Sequence, residues 1–216
     1  IRTSGFLRTL TATLRRAMSA AFTPASTFTV RPATASTGPS GKSTISKVLL
    51  PAEGIVYINP DDIARELNPE NPVAAQIQAG KETLKRIDAL LNRGDSFAIE
   101  STLSGLGYLS VIKHARESGY EILICYTFVD SPEACIERIE GRVKKGGHLV
   151  PPEDVRRRYY RSKRNFFAKY SSEADYWMLC YNGGDNPAVV AECYYGKSKV
   201  VFQEPLFEKF KEDIYE

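Results

Sequence analysis

Glycines, a lysine and hydroxyl side chains are concentrated between residues 36 and 44. Glycines allow successive backbone N–H groups to curl around phosphate oxygens, as they do in a P-loop. Gly41-Lys42-Ser43-Thr44 supplies the second half of that motif, in which the lysine reaches the phosphates and the hydroxyl binds Mg²⁺. In the first half the nearest glycine is Gly38, and Ser36 stands where the leading glycine is expected. We predict that this segment holds ATP and that Ser43 is the ligand for its Mg²⁺; a glycine-rich turn before a helix is the alternative.

Carboxylates follow three of the apolar runs that read as strands. Asp61 comes shortly after Ile55–Ile58, and a kinase needs such a base to accept the proton of the hydroxyl that it phosphorylates. The alternative is that Asp61 or Asp62 caps the helix that begins there. Glu100 ends another buried run, where an unpaired carboxylate is costly, so we expect it to bind a ligand, a water on Mg²⁺ or an arginine. The alternative is a structural hydrogen bond to a neighbouring loop. Asp130, after the strongest predicted strand, is a second candidate for the Mg²⁺-bound water or a simple turn residue.

A basic segment lies between two predicted helices. Arg142 ends the first helix, Arg158 belongs to the second, and the glycine-containing stretch 144–152 joins them. Arginines that approach the γ-phosphoryl group stabilise the charge that develops during transfer, and glycines permit such a segment to hinge as a lid. A solvated basic face, or a patch for nucleic acid, is the alternative.

The order of elements predicts the fold class. From residue 27 onward short apolar runs alternate with helical patterns, which favours an α/β fold with a doubly wound, mostly parallel sheet flanked by helices. Ligands of such sheets bind beyond the carboxyl ends of the strands, which is where the residues above are found. We therefore expect one P-loop kinase domain over residues 27–216, nucleotide-kinase-like and with a small lid.

The composition narrows the class of protein. Of the 216 residues 43% are hydrophobic and 25% charged, and the formal net charge of +3 is too small to indicate a nucleic-acid partner. No apolar run is long enough to cross a membrane, and the four cysteines form no Cys-x-x-Cys pair, so we expect reduced thiols in a cytoplasmic protein. Residues 1–26 contain arginines but no acidic residue, as organellar transit peptides do, or they are a disordered or non-native extension.

Several segments resemble the zeta-toxin family of P-loop kinases and its relatives. They occur in the family's order over roughly residues 38 to 210, and the most specific are Glu100-Ser101-Thr102-Leu103-Ser104 and Lys144-Lys145-Gly146-Gly147-His148. The segments 41–44, 57–64, 157–159 and 181–187 also match, although Tyr181 and Gly183 replace the Asp and Ser of the family's late turn.

The resemblance implies a function and a set of roles. Lys42 and Ser43 would hold ATP·Mg²⁺, Asp61 would be the catalytic base, Glu100 and Thr102 would bind substrate, and Arg142 and Arg158 would be the lid arginines, with Arg157 or Arg138 as alternates. The substrate would be a small-molecule hydroxyl, as in zeta toxins, which phosphorylate UDP-N-acetylglucosamine and are held inactive by an antitoxin protein.

Two other functions are compatible with the same residues. A P-loop ATPase or regulatory module would keep Lys42 and Ser43 but would need no base at Asp61, and a non-catalytic descendant is suggested by Ser36. The 5′-hydroxyl of a nucleic-acid end is a minor alternative substrate.

Overall fold

The computed structural model describes residues 26–32, 55–144, 150–183, 188–212 and 214, with only the backbone described for 26–32. The strands are β1 (Ser26–Pro32), β2 (Ile55–Ile58), β3 (Ser96–Ser101), β4 (Tyr120–Phe128), β5 (Tyr176–Tyr181), β6 (Ala188–Tyr194) and β7 (Ser198–Val201). The helices are α1 (Pro60–Leu67), α2 (Gln76–Arg93), α3 (Tyr108–Glu117), α4 (Pro132–Val143), α5 (Pro152–Asn165), α6 (Ser171–Glu173) and α7 (Glu204–Glu212), and a π-helical turn (Phe166–Tyr170) joins α5 to α6.

The seven strands form one mixed sheet in the order β2-β3-β1-β4-β5-β6-β7. β2 pairs with β3 and β4 pairs with β5 in the parallel sense. β1 lies between these two pairs and is antiparallel to both β3 and β4. β5, β6 and β7 follow one another as antiparallel neighbours. The apolar runs at residues 188–193 and 199–202 predict a terminal hairpin, and the pairing of β6 with β7 confirms it.

The predicted doubly wound, mostly parallel sheet is wrong. Of the six strand pairs in the part of the chain that the structure describes, two are parallel. Helices α1 and α2 connect β2 to β3, as expected for a parallel unit, whereas the described residues contain no helix between β5 and β6 or between β6 and β7. The direction of β1 places its last residue, Pro32, beside Tyr120 at the start of β4. The carboxyl end of β1 therefore lies at the opposite edge from the carboxyl ends of β2, β3, β4 and β5.

One face of the sheet carries the main hydrophobic core. Its centre consists of alternate strand residues such as Ile99, Phe128 and Leu179, which are packed with Phe166 and Phe210 from the helical layer. Phe210 of α7 lies 5.1 Å from Phe128, ring centre to ring centre. Each fully buried side chain of this size contributes about 1.5–3 kcal/mol, so the core fixes the strands whose ends carry polar residues.

Helix α2 buries a different stripe from the one its large apolar residues indicate. Helical spacing predicts one buried face made of Val73, Ile77, Leu84, Ile87 and Leu91. Ile87 and Leu91 are indeed buried. Ile77 and Leu84, however, are 80% and 45% exposed. Small residues face the sheet instead: Ala79 and Thr83 are buried, and the Thr83 hydroxyl donates to the Ala79 carbonyl at 2.8 Å. Gly94 ends the helix with a left-handed φ of 75° that glycine adopts without strain.

No helix among the described residues has both the length and the apolar character needed to cross a membrane.

Candidate active site

The site lies where β2 and β3 end side by side. In the parallel register Ile58 is opposite Ile99, so the residues that follow Ile58 lie next to Glu100 and the residues after it. Asn59, Asp61 and Asp62 come from the β2 end, and Glu100, Thr102 and Ser104 come from the β3 end. The structure thus brings together two segments that are about 40 residues apart in the chain.

The Glu100 carboxylate is held from β2. The Tyr57 hydroxyl donates a hydrogen bond to Glu100 Oε2, and the Asn59 side-chain amide approaches the same oxygen at 3.4 Å. Burial and the Glu100 carboxylate raise the pKa of the Tyr57 phenol, so the phenol keeps its proton and remains a donor. Both donors reach Oε2, and no hydrogen bond reaches Oε1 from the part of the chain that the structure describes.

The first turn of α1 distinguishes the two aspartates. The helix is capped by Asn59, whose side-chain oxygen accepts from the Asp61 backbone N–H at 2.9 Å, so neither aspartate is the cap. Asp62 forms an ion pair with Arg65 at 2.7 Å. The Asp61 side chain is exposed and forms no hydrogen bond or ion pair with other described residues. Asp61 is therefore the carboxylate that is available to a ligand.

Two hydroxyl groups follow Glu100. Thr102 Oγ1 and Ser104 Oγ lie 2.9 Å apart, and Thr102 is exposed. Leu103 between them is buried and has a φ of 53°, a left-handed conformation that costs a branched residue about 1–2 kcal/mol. The backbone turn at Leu103 places its two neighbours close together at the end of β3.

Asp130 is occupied by structural contacts. One oxygen is 2.5 Å from the Lys209 ammonium of α7, and the other accepts from the Tyr181 hydroxyl at 2.6 Å. Lys209, followed by Tyr181, lowers the pKa of this carboxyl. A Cβ on Gly183 would overlap the Tyr181 hydroxyl and an Asp130 oxygen, so this close approach requires glycine. In this arrangement Asp130 joins β4, β5 and α7 through one contact at each of its two oxygens.

The arginines of α5 differ in their partners. Arg156 binds Glu133 at 3.0 Å and Arg157 binds Asp154 at 2.5 Å, both at the surface. Arg158 is half-buried and forms no ion pair with any carboxylate in the described residues. On α4, Arg138 donates to the Asn182 carbonyl at 2.5 Å.

Some of the predicted site residues cannot be placed. Gly38, Gly41, Lys42, Ser43 and Thr44 lie outside the described residues, as does the central part of the predicted lid, residues 145–149. Arg142 lies in the last turn of α4, and only its backbone is described.

A cleft of about 320 Å³ opens beside strand β2, between α1 and α2. Asn59 and Asp62 line the end of this cleft nearest to Glu100. Its arginines already have partners, since Arg86 binds Glu66 at 2.8 Å and Arg93 binds Asp95 at 2.7 Å. The cleft therefore offers space next to the carboxylates, and its described lining residues include no unpaired cation.

Tyr57 and Asn59 were not among the predicted site residues. A signal for Tyr57 was present, because β2 and β3 were expected to be parallel and Tyr57 is a polar residue on the same face as Glu100. No comparable signal exists for the side chains of α5 that contact the loop after β3, because those contacts join residues about 60 positions apart.

Comparison with known proteins adds one relative. No protein-family model matches the chain, and no solved structure matches it. An uncharacterized protein of Haemophilus influenzae is 37% identical over 123 residues, which cover 57% of this chain and 87% of that protein. At that identity and coverage, the chain belongs to the same family as this uncharacterized Haemophilus influenzae protein.

Proposed function

We propose that the protein is an ATP- and Mg²⁺-dependent phosphotransferase that acts on a small-molecule hydroxyl, with Asp61 as its base. The observation that carries the proposal is the pairing of an unengaged carboxylate, Asp61, with a carboxylate held in place, Glu100, at one edge of the sheet. A base and a substrate-binding acceptor within one small area are what transfer to a hydroxyl needs.

The reaction would proceed in one displacement. The substrate oxygen attacks the γ-phosphorus of ATP, the bond from that phosphorus to the β–γ bridging oxygen breaks, and ADP leaves. The hydroxyl proton passes to the Asp61 carboxylate. Glu100 Oε1 would accept a hydrogen bond from the substrate or from a Mg²⁺-bound water while Oε2 is occupied by Tyr57. Thr102 and Ser104 would contribute hydroxyl groups to the same substrate.

Arg158 is the arginine best suited to the transferring phosphoryl group. Arg156 and Arg157 are neutralised by neighbouring carboxylates, whereas Arg158 has no such partner among the described residues. A guanidinium group that is not already paired can donate two parallel hydrogen bonds to phosphate oxygens. We propose Arg142, at the end of α4, as a second contributor.

The nucleotide-binding part of the proposal is supported by sequence. Gly41-Lys42-Ser43-Thr44 has the residue types that bind ATP·Mg²⁺. Strand β1, which precedes this segment, ends at the opposite edge of the sheet from Asp61 and Glu100.

The resemblance to zeta toxins supports a UDP-amino-sugar as the substrate and an antitoxin as a partner. The four cysteines are all free and buried thiols, which supports a reducing compartment such as the cytoplasm.

The test is a direct search for the acceptor. Purified protein is incubated with γ-labelled ATP and Mg²⁺ together with UDP-sugars, nucleosides or nucleic-acid ends, and label in the acceptor is measured. We expect transfer to a small-molecule hydroxyl and a loss of at least about tenfold in Lys42→Ala, which removes the cation among the phosphates. Release of phosphate without a labelled acceptor would make the protein an ATPase, and nucleotide binding without turnover would make it a binding module; either result refutes the proposal.

A further inference from the structure

The loop after β3 is held by one helical segment through four side chains. Four consecutive carbonyl groups of the loop, those of residues 102 to 105, each accept a hydrogen bond from α5 or from the π-helical turn that continues it. The donors, in the order of the carbonyls, are Ser162, Asn165, Arg161 and Tyr170.

The individual contacts are well formed. The Asn165 amide lies 3.0 Å from the Leu103 carbonyl, and Arg161 Nε lies 2.6 Å from the Ser104 carbonyl. The Tyr170 hydroxyl lies 2.7 Å from the Gly105 carbonyl, and burial raises the pKa of that phenol to about 12, so it stays a donor at neutral pH. The Ser162 hydroxyl donates to the Thr102 carbonyl.

Ser162 also forms a hydrogen bond with a residue of the hydrophobic core. Tyr126 Oη lies 2.8 Å from Ser162 Oγ. Because Ser162 gives its only proton to Thr102, Tyr126 is the donor of this second bond. Tyr126 belongs to β4 and stacks on Phe166 with a ring distance of 4.4 Å. The loop is thereby connected to the rigid centre of the sheet.

These contacts oppose a local strain. The left-handed φ of Leu103 is unfavourable for a leucine and persists only where surrounding contacts determine it. The carbonyls on either side of this residue are fixed by α5, and its side chain is buried. Four hydrogen bonds to consecutive carbonyl groups together offset the cost of one left-handed residue.

We infer that Arg161, Ser162, Asn165 and Tyr170 are positioning residues, which hold the Thr102 and Ser104 hydroxyls in the arrangement that binds the substrate hydroxyl. The role of these hydroxyls rests on the proposed function, whereas the restraint on the loop does not. Arg158 lies one turn before Arg161 on the same helix. Helix α5 thus sets the position of the loop after β3 and also carries the arginine proposed to bind the phosphoryl group.

Two exposed arginines of α5 provide a matched test. Arg161 binds the loop, whereas Arg164 is exposed and makes no contact with the loop in the described residues. Arg161→Ala removes one hydrogen bond to the loop, and Asn165→Asp removes another because an ionised aspartate cannot donate. We expect each variant to raise the hydrogen-exchange rates of amides 102–106 in the free protein by about fivefold or more. Arg164→Ala should leave these rates unchanged. Unchanged exchange in both loop variants, or equal changes in Arg164→Ala, would overturn the restraint whether or not the protein is a kinase.

The kinetic comparison tests the positioning role. Once the acceptor has been identified, Arg161→Ala and Asn165→Asp should each raise the KM for the acceptor about tenfold, while the KM for ATP stays within about twofold of the wild-type value. Faster exchange of the loop with an unchanged acceptor KM would overturn the positioning role. Failure of the wild-type protein to phosphorylate any acceptor would refute the proposed function, and the exchange experiment would still decide the restraint.

Discussion

Removal of the Tyr57 hydroxyl should weaken catalysis through Glu100. In Tyr57→Phe the ring is kept, and the remaining donor to Glu100 Oε2 is the Asn59 amide at 3.4 Å, longer than a good hydrogen bond. A hydrogen bond to a charged group contributes about 1.5–3 kcal/mol. Both side chains are only half-buried, so we take about 1–2 kcal/mol. At 1.36 kcal/mol for each factor of ten, kcat/KM for the acceptor should fall about 5- to 30-fold.

A double-mutant cycle separates this role from a general loss of structure. Tyr57→Phe, Glu100→Gln and the double variant are compared in kcat/KM and in unfolding midpoint. If Tyr57 acts by holding the Glu100 carboxylate, Tyr57→Phe should lower the rate less than about twofold when Glu100 is already Gln. Fully additive losses in the double variant, or a wild-type rate in Tyr57→Phe, would refute the reasoning.

Three further changes test separate parts of the structure. Arg158→Ala should lower kcat by about 10²-fold or more with little change in ATP affinity, and Arg158→Lys should restore little of the lost rate. Arg157, which is ion-paired with Asp154, serves as the control, and Arg157→Ala should keep kcat within about threefold of the wild type in initial-rate kinetics. Asn59→Ala should lower the free energy of unfolding by about 1 kcal/mol through loss of the α1 cap, and Asn59→Ser, which can also cap a helix, should restore most of it; urea titrations measure both. Lys209→Gln should cost less than about 1 kcal/mol at pH 7. In urea titrations this difference should shrink as the pH falls below about 4 and through the lowered pKa of Asp130, because the lysine stabilises the ionised carboxylate.

Individual helices and strands could be predicted because capping residues and apolar runs lie within the elements that they define. Ser131 directly before Pro132 predicts a helix N-cap, and in the structure the Ser131 hydroxyl accepts from the Ala134 N–H at 3.2 Å. The apolar runs at residues 55–58 and 176–181 predict strands with the bounds that β2 and β5 have, since such runs with clear stops fit few other structures. The parallel pairing of β2 with β3 followed from the two helices between them.

Strand direction and helix rotation could not be predicted from the same signals. An apolar run satisfies its backbone hydrogen bonds equally well in either direction, so nothing in the residues around Phe28 distinguishes a parallel β1 from the antiparallel one. In α2 the buried stripe is chosen by close approach to the sheet, which favours Ala79 and Thr83 over the larger Ile77 and Leu84.

The candidate site could be predicted only in part from the sequence. Asp61 and Glu100 were predicted because each lies at or just after the end of an apolar run. Which of Asp61 and Asp62 forms an ion pair depends on the positions of Asn59 and Arg65 in the folded chain. The contacts from α5 to the loop after β3 join residues that are about 60 positions apart in the chain, so no local sequence pattern predicts them.

The most direct test of the central claim compares phosphoryl transfer in Asp61→Asn and Asp62→Asn. Asp61 has no partner among the described residues and Asp62 is paired with Arg65, so the two variants change neighbouring carboxylates with different surroundings. With γ-labelled ATP and the acceptor found in the screen, Asp61→Asn should transfer about 10²- to 10⁴-fold more slowly while ATP binding, followed by calorimetry, is retained. Asp62→Asn should remain within about threefold of the wild type. Wild-type transfer in Asp61→Asn, or equal losses in the two variants, would contradict the assignment of Asp61 as the base of a phosphotransferase.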